Sequence, residues 1–120
     1  IKNNQFMQGD FEMAIEINTN EENLLAKISG ELDHHTAATM RAELDEKISG
    51  LNPHKLLLDF SDVSFMDSSG IGFIMGRYKL MKENGGGVEV VNAPRGINKV
   101  LKISGLDKII TIGRCKNEDN

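Results

Sequence analysis

The tetrapeptide Asp67-Ser68-Ser69-Gly70 carries side chains that could do chemistry. Apolar residues recur at helical spacing directly after it, so the segment should open a helix. One serine is expected to cap that helix by accepting a hydrogen bond from a first-turn N–H group. The other hydroxyl would lie on an accessible surface beside unpaired N–H groups and the positive end of the helix dipole, which suits a phosphate. The tetrapeptide therefore predicts a capping serine next to a serine that can be phosphorylated.

A second polar segment, residues 30–36, contains Asp33 followed by two histidines. It follows a predicted strand, as do residues 61–69 around the serines and residues 92–94. The loops that leave parallel strands meet at one edge of a sheet, the carboxyl edge. We therefore expect Asp33 and Ser68 to lie close together although they are far apart in sequence.

The elements that position these loops follow from the hydrophobic pattern. Alternation over residues 11–17 and the apolar residues 24–28 predict an antiparallel hairpin. Short apolar runs predict three further strands, at residues 56–58, 88–91 and 109–112, the first of them covered on both faces. Helical spacing predicts three helices, with inward residues in 37–48, 71–81 and 97–101.

The order of these elements predicts an α/β fold. An N-terminal antiparallel hairpin leads into a mixed, largely parallel sheet of about five strands with three or four helices and right-handed crossovers. Residues 11–113 form the predicted domain, residues 1–10 a flexible extension, and residues 114–120 a polar tail.

Composition narrows the class of partner. The 120 residues carry a net charge of −4 without a dense Lys/Arg stripe, which argues against nucleic acid. No run approaches the ~20 apolar residues that cross a membrane, so no membrane partner is expected. The single Cys115 forms no disulfide framework and favours a reducing, cytoplasmic setting. Protein partners are therefore expected.

Several motifs together resemble the anti-sigma factor antagonists of the STAS domain family. The resemblance covers about residues 11–112 and is carried by four stretches, which are residues 30–37 (GELDHHTA), 64–72 (SFMDSSGIG), 76–79 (GRYK) and 104–110 (SGLDKII). Relatives that control general stress responses often have Thr where this chain has Ser69, so the resemblance favours the sporulation branch. This chain differs from the family pattern at both ends. It has extra residues before Phe11, and it lacks the helix that usually follows the last strand.

The resemblance implies a bacterial partner-switching regulator with a STAS fold. The unphosphorylated form would bind an anti-sigma factor that is also a serine kinase, and so release a sigma factor. Phosphorylation of Ser68 would inactivate it, and a serine phosphatase would restore it. The protein is then a substrate and not an enzyme. The partner-binding and switch region would comprise five further residues, namely Asp33, His34, Asp67, Ser69 and Gly70.

Other interpretations stay open. The fold could be a STAS-type interaction module for another partner. Gly70, Gly72 and Gly76 do not have the spacing of a nucleotide loop, so no cofactor is expected, although weak nucleotide binding stays an alternative. Gly72 and Gly76 are better explained as a flat stripe on a helix that packs closely on a neighbour.

Three chemical alternatives are weaker. A metal site built from His34, His35 and His54 lacks a recognisable ligand spacing. A hydrolase built from Ser68, His35 and Asp33 lacks a nucleophile motif. A phosphoaspartate receiver centred on Asp59 lacks its acidic pair and its lysine.

Overall fold

The computed structural model describes residues 5–10 and 13–113, with side chains from residue 15 onward. The strands are β1 (Gln5–Asp10), β2 (Met13–Asn20), β3 (Asn23–Leu32), β4 (Lys55–Met66), β5 (Gly87–Val91) and β6 (Thr111–Ile112). The helices are α1 (His34–Leu51), α2 (Ser68–Glu83) and α3 (Arg95–Ile103), followed by a 3₁₀ turn at Leu106–Lys108. Within this described part of the chain, no helix has the apolar length needed to cross a bilayer.

The strands form one sheet in chain order, β1-β2-β3-β4-β5-β6. The first three strands pair antiparallel, and β3 to β6 pair parallel. The predicted mixed α/β fold, with its N-terminal hairpin and three helices, is confirmed. The last strand is shorter than predicted, because the 3₁₀ turn uses the residues before Ile109 and pairing begins at Thr111.

An additional strand precedes the predicted hairpin. Residues 1–10 were predicted to lie outside the sheet, but Gln5–Asp10 pair with β2 across an irregularity between Gln8 and Asp10. Their sequence has no clean alternation of apolar and polar residues, so pattern alone does not mark them as a strand. The flexibility of this extension stays a prediction, and the polar tail at residues 114–120 lies outside the described residues.

The core lies on one face of the sheet. Alternate side chains of β3 and β4 are fully covered there, and α1 covers them with Met40, Leu44 and Ile48, as its spacing predicted. Successive right-handed crossovers in one direction place all three helices on that face. The opposite face carries two exposed ion pairs, Lys27–Asp62 at 3.4 Å and Lys55–Glu89 at 3.6 Å. Leu57 is half-buried, so the prediction that residues 56–58 are covered on both faces is wrong.

The strands that lead to the site are longer than predicted. Residues 61–69 were expected to form a loop, but β4 continues to Met66 and β3 continues to Leu32. The extension of β4 is hard to see in sequence because only Val63 and Met66 of residues 61–66 are buried. The connections from these strands to α1 and α2 are therefore single residues, Asp33 and Asp67, and Ser68 lies in α2.

A buried arginine joins α1 to α2. Arg77 is 4% exposed, and its Nε lies 2.7 Å from Oδ1 of Asp45. Its Nη1 donates to the Phe73 carbonyl oxygen at 3.3 Å, and the guanidinium lies 5.3 Å from the Phe73 ring centroid. Burial lowers the pKa of Arg77 while Asp45 opposes that shift. The Arg77–Asp45 pair matters for the stability of the fold, because a buried charge without a partner lowers the free energy of unfolding.

Asp45→Ala should lower the free energy of unfolding by about 1.5–3 kcal/mol, because it leaves Arg77 buried without its counter-charge. Glu46→Ala removes the same charge from an exposed neighbouring position and should change stability by no more than about 0.5 kcal/mol. Urea unfolding of both variants measures the difference. Equal stability of the two variants would contradict a role for this ion pair in holding the helices together.

Candidate functional site

Two helix N-termini lie side by side at the carboxyl edge of the sheet. Leu32 and Met66 are partners in the parallel pairing of β3 and β4. The backbone N–H of Asp67 donates to the Leu32 carbonyl oxygen at 3.3 Å, which ties the two strand ends together. Asp33 and Asp67 follow directly, and each is the N-cap of the next helix. The Asp33 and Ser68 segments therefore share one edge, as the topology predicted.

Asp67, and not a serine, caps α2. Its Oδ1 accepts a hydrogen bond from the Ser69 backbone N–H at 2.8 Å, so the expected serine cap is wrong. Asp67 has the extended backbone of an N-cap, with φ −102° and ψ −168°. Asp and Ser are nearly equal as N-caps, so residue preference cannot decide between neighbouring positions. Both serine hydroxyls are consequently free of a capping role.

Ser68 is the first helical residue of α2 and is exposed, whereas Ser69 is half-buried. No side chain or backbone group in residues 15–113 hydrogen-bonds the Ser68 hydroxyl. The N–H groups of Ser69 and Gly70 already donate to Asp67, at 2.8 and 2.9 Å. A phosphate on Ser68 would gain from the helix dipole without taking these two donors. It would therefore project toward solvent or a partner.

Asp33 caps α1 through a reciprocal pair of hydrogen bonds. Its Oδ1 accepts from the Thr36 N–H at 3.0 Å, and Thr36 Oγ1 accepts from the Asp33 N–H at 3.0 Å. The Thr36 hydroxyl also donates to the Glu31 carbonyl oxygen at 2.8 Å. The backbone bond from Thr36 is the main cause that lowers the pKa of Asp33, so this carboxylate is charged at neutral pH. Thr36 was missed, although a hydroxyl three residues after Asp33 is a capping-box signal.

Gly70 allows α2 to begin against the strand ends. A Cβ at this position would collide with Cγ and Sδ of Met66 and would lie 3.3 Å from Cδ2 of Leu32. Gly70 is buried, so within the predicted switch region it acts as a spacer below Ser68 and Ser69 and is not itself accessible to a partner. Close approach of α2 to the paired strands therefore requires a residue without a side chain here.

Phe65 is an apolar side chain that the sequence reasoning did not assign to the site. It is 49% exposed and lies two residues before Asp67, at the end of β4. A large exposed aromatic side chain three residues before Ser68 in sequence is suited to contact with a partner protein. No sequence signal separates it from the buried residues Val63 and Met66 of the same strand.

His34 and Ser69 face an open groove between α1 and α2. The groove has a volume of about 290 Å³, and its lining residues are His34, Ala37, Ala38, Arg41, Ser69, Gly72, Phe73, Gly76 and Arg77. Small side chains form much of its walls. All six predicted site residues thus lie at this edge, on or beside the start of the groove. Arg41 and Arg77 are additions that were not predicted as site residues.

The alternative sites are not assembled. His54 lies at the opposite edge of the sheet, where its backbone N–H bonds the Glu22 carbonyl oxygen at 2.6 Å. Among the described residues, no group of three or more His, Cys, Asp or Glu side chains is placed to hold a metal. Asp59 lies within β4 and accepts from the Ser61 N–H at 2.9 Å, so it does not occupy the strand end that the receiver alternative requires. The Asp33 carboxylate is hydrogen-bonded mainly by Thr36, and His35 contributes through its backbone N–H and its charge, which is not the side-chain arrangement of a triad.

A family model decides the relationship. The model of the STAS domain matches residues 14–118. The chain belongs to the STAS domain family. Its relatives include the anti-sigma F factor antagonist of Paenibacillus polymyxa, 42% identical over 89 residues, which are 74% of this chain and 76% of the relative. The anti-sigma-B factor antagonist of Bacillus subtilis strain 168 is 32% identical over 100 residues, 82% of this chain and 88% of the relative.

Solved STAS structures include the anti-sigma factor antagonist SpoIIAA in two forms. The unphosphorylated form superposes with a TM-score of 0.75 at 27% identity, covering 88% of this chain and 90% of SpoIIAA. The phosphorylated form, described as a Bacillus cell fate determinant, superposes with a TM-score of 0.69 at 27% identity, covering 88% and 94% of the two chains. The STAS fold predicted from the motifs is confirmed.

Gly70→Ala should destabilise this STAS domain by about 1–3 kcal/mol, since the added methyl group is forced into Met66. Gly72→Ala is the matched control, because no atom lies within 4 Å of its ideal Cβ position. It should stabilise α2 by roughly 0.5–1 kcal/mol, the usual preference of a helix for Ala over Gly. Thermal and urea unfolding measure both changes, and destabilisation of similar size by both variants would contradict the spacer role of Gly70.

Removing the charge of Asp33 should have an effect that depends on pH. A carboxylate whose pKa is lowered by folding stabilises the protein above its unfolded pKa, about 3.9, and loses that contribution as pH falls through the folded value. Asp33→Asn keeps a capping acceptor, so wild type should be more stable at pH 7 and the difference should shrink below about pH 3.9. Unfolding at a series of pH values tests this, and a difference independent of pH would contradict it.

Proposed function

We propose that this protein is an anti-sigma factor antagonist that is switched by phosphorylation of Ser68. The observation that carries the proposal is the exposed Ser68 hydroxyl, which is free of hydrogen bonds within residues 15–113 and lies at the start of a firmly capped helix. A kinase can reach such a hydroxyl without unfolding the segment that carries it. The family membership and the names of the relatives support the proposal.

The proposed cycle has three protein partners. The unphosphorylated form binds an anti-sigma factor that is also a serine kinase, and a sigma factor is thereby released. The kinase transfers phosphate to Ser68 and dissociates, and a serine phosphatase restores the active form. The protein acts in the cytoplasm as a substrate and needs no cofactor of its own. The existence of SpoIIAA in unphosphorylated and phosphorylated forms supports this cycle.

We further propose that this antagonist takes part in the control of sporulation. The second serine of the tetrapeptide, Ser69, favours the branch that controls sporulation. The identity to the Paenibacillus anti-sigma F factor antagonist is 42%, against 32% for the Bacillus subtilis anti-sigma-B relative, which supports the same choice. The expected partner is therefore an anti-sigma factor of the sigma-F type.

The switch acts through surface charge. Phosphorylation adds about −1.5 to −2 charges to a position that must lose its water when a partner docks. Asp33 and Asp67 already place two carboxylates at this edge, so the phosphate concentrates negative charge there. A hundredfold loss of affinity requires only ~2.7 kcal/mol. Docking can therefore be blocked without a change of fold.

Substitutions at Ser68 test the switch. Ser68→Ala should bind the anti-sigma factor as wild type does and resist phosphorylation. Its stability should change by no more than about 0.5 kcal/mol, because Asp67 and not Ser68 provides the cap. Ser68→Asp should fold, since the helix dipole favours a carboxylate at this end, but should bind more weakly. Titration with purified kinase and nucleotide measures binding, and mass spectrometry of tryptic peptides locates the phosphate.

Ser69→Ala is the control, because it leaves Ser68 available and should still be phosphorylated. Stoichiometric phosphate on Ser68→Ala, or full binding by a folded Ser68→Asp, would place the switch at another residue. A wild-type protein that neither binds the kinase nor accepts phosphate would instead be an interaction module for a different partner.

A further inference from the structure

Two glycines of α2 are not explained by packing within the chain. Gly72 is exposed and Gly76 is partly exposed, and no atom lies within 4 Å of an ideal Cβ at either position. The prediction that they form a stripe packed closely on a neighbour is wrong for the described part of the chain. Each glycine costs roughly 0.5–1 kcal/mol in a helix interior relative to Ala. The space that side chains at these two positions would occupy is part of the open groove between α1 and α2.

The same groove carries an uncompensated positive charge. Arg41 lines it from α1, is exposed, and has no ion pair within residues 15–113. Arg77 lines the groove from α2 and is paired with the carboxylate of Asp45. Burial is the main cause that lowers the pKa of Arg77, Asp45 raises it, and the charge of Arg41 lowers it by a smaller amount, so the two guanidinium groups interact. An incoming anion would relieve this repulsion between like charges.

The groove is also continuous with the phosphorylation site. Ser69 and His34 line it, and Ser68 is the exposed neighbour of Ser69 at the start of α2. A protein bound along the groove would therefore reach Ser68. An arginine can bind a carboxylate through two parallel hydrogen bonds, which strengthen binding and fix the orientation of the two groups. Positions without a Cβ allow the backbone of a partner to approach α2 closely.

We propose that the groove between α1 and α2 receives a carboxylate-bearing segment of the anti-sigma factor. Arg41 binds the carboxylate, and Gly72 and Gly76 give the segment access to the helix surface. The inference rests on the proposed function, since it names the surface that the same partner uses. It also explains how charge at Ser68 acts, because a phosphate near the groove repels the incoming carboxylate and competes with it for the positive potential of Arg41.

Charge reversal at Arg41 is the first test. Arg41→Glu should weaken binding of the anti-sigma factor, in the presence of nucleotide, by at least about tenfold, which corresponds to ~1.4 kcal/mol. In the kinase reaction on Ser68, the KM for this variant should rise while kcat stays near the wild-type value, because Arg41 contributes to docking and not to phosphate transfer. Lys99→Glu makes a similar charge change at an exposed site on α3 and should bind within about twofold of wild type.

Filling the groove is the second test. Gly76→Leu introduces a side chain where the chain itself leaves space, so the variant should fold with a thermal midpoint at or above that of wild type. Its affinity for the anti-sigma factor should nevertheless fall by at least about tenfold. Gly96→Leu is the matched control, since Gly96 on α3 is exposed and equally free of neighbours within 4 Å.

The outcomes separate the two proposals. If wild type binds and both Arg41→Glu and Gly76→Leu bind equally well while folded, the groove proposal is wrong and the antagonist function stands. If wild type itself does not bind the anti-sigma factor, both proposals are wrong. If Gly76→Leu has a lowered thermal midpoint, Arg41→Glu decides, because that side chain is exposed and its change does not disturb the core.

Discussion

The parallel pairing of β3 with β4 is the constraint on which the site depends. It continues to Leu32 and Met66, and the Asp67 N–H then closes the end of the ladder on the Leu32 carbonyl oxygen. Because both strands end in register, the two following residues become N-caps of neighbouring helices. Gly70 completes the arrangement, since it allows the first turn of α2 to lie on Met66. The ladder reaches this end through two register irregularities, between Lys27 and Ser29 and between Gly30 and Glu31, each of which adds one residue to β4 relative to β3.

This arrangement caps the start of α2 while the Ser68 hydroxyl stays exposed. Asp67 takes the hydrogen bond that a capping serine would have taken, and the first-turn N–H groups of Ser69 and Gly70 are already satisfied. A phosphate therefore finds few unused backbone donors and is not absorbed into the helix end. Its charge would be directed at the surface where we propose that partners dock. A capped segment with an outward charge suits regulation by blocked contact better than regulation by refolding.

Much of the fold could be predicted from periodicity, and the failures have physical causes. The buried face of α1 follows directly from the spacing of Met40, Leu44 and Ile48. The end of β4 could not be placed, because Ser61, Asp62 and Ser64 alternate irregularly with buried residues on a sheet with one open face. The cap of α2 was placed one residue late because Asp and Ser are equivalent by preference, and only the backbone angles of Asp67 distinguish them.

The place of the candidate site in the fold could be predicted from sequence, but its long-range contacts could not. Asp33 and Ser68 could be brought together because parallel strands share a carboxyl edge, which is a rule of topology. The Arg77–Asp45 pair joins residues 32 positions apart, and no local pattern marks either as a buried ion. Phe65 and Arg41 are likewise ordinary in sequence. Only the exposure of Phe65 at the end of β4 and the position of Arg41 in the groove distinguish them.

The glycines of α2 have two different environments. Gly70 is required by contact within the chain, whereas Gly72 and Gly76 leave open space and cost helix stability. The buried face of α2 is held by Phe73, Ile74 and Met81 in the core and by Arg77 against Asp45. These contacts are sufficient to keep the helix in place although the glycines on its open side weaken it. If the open side binds a partner as we propose, stability and recognition are divided between the two sides of α2.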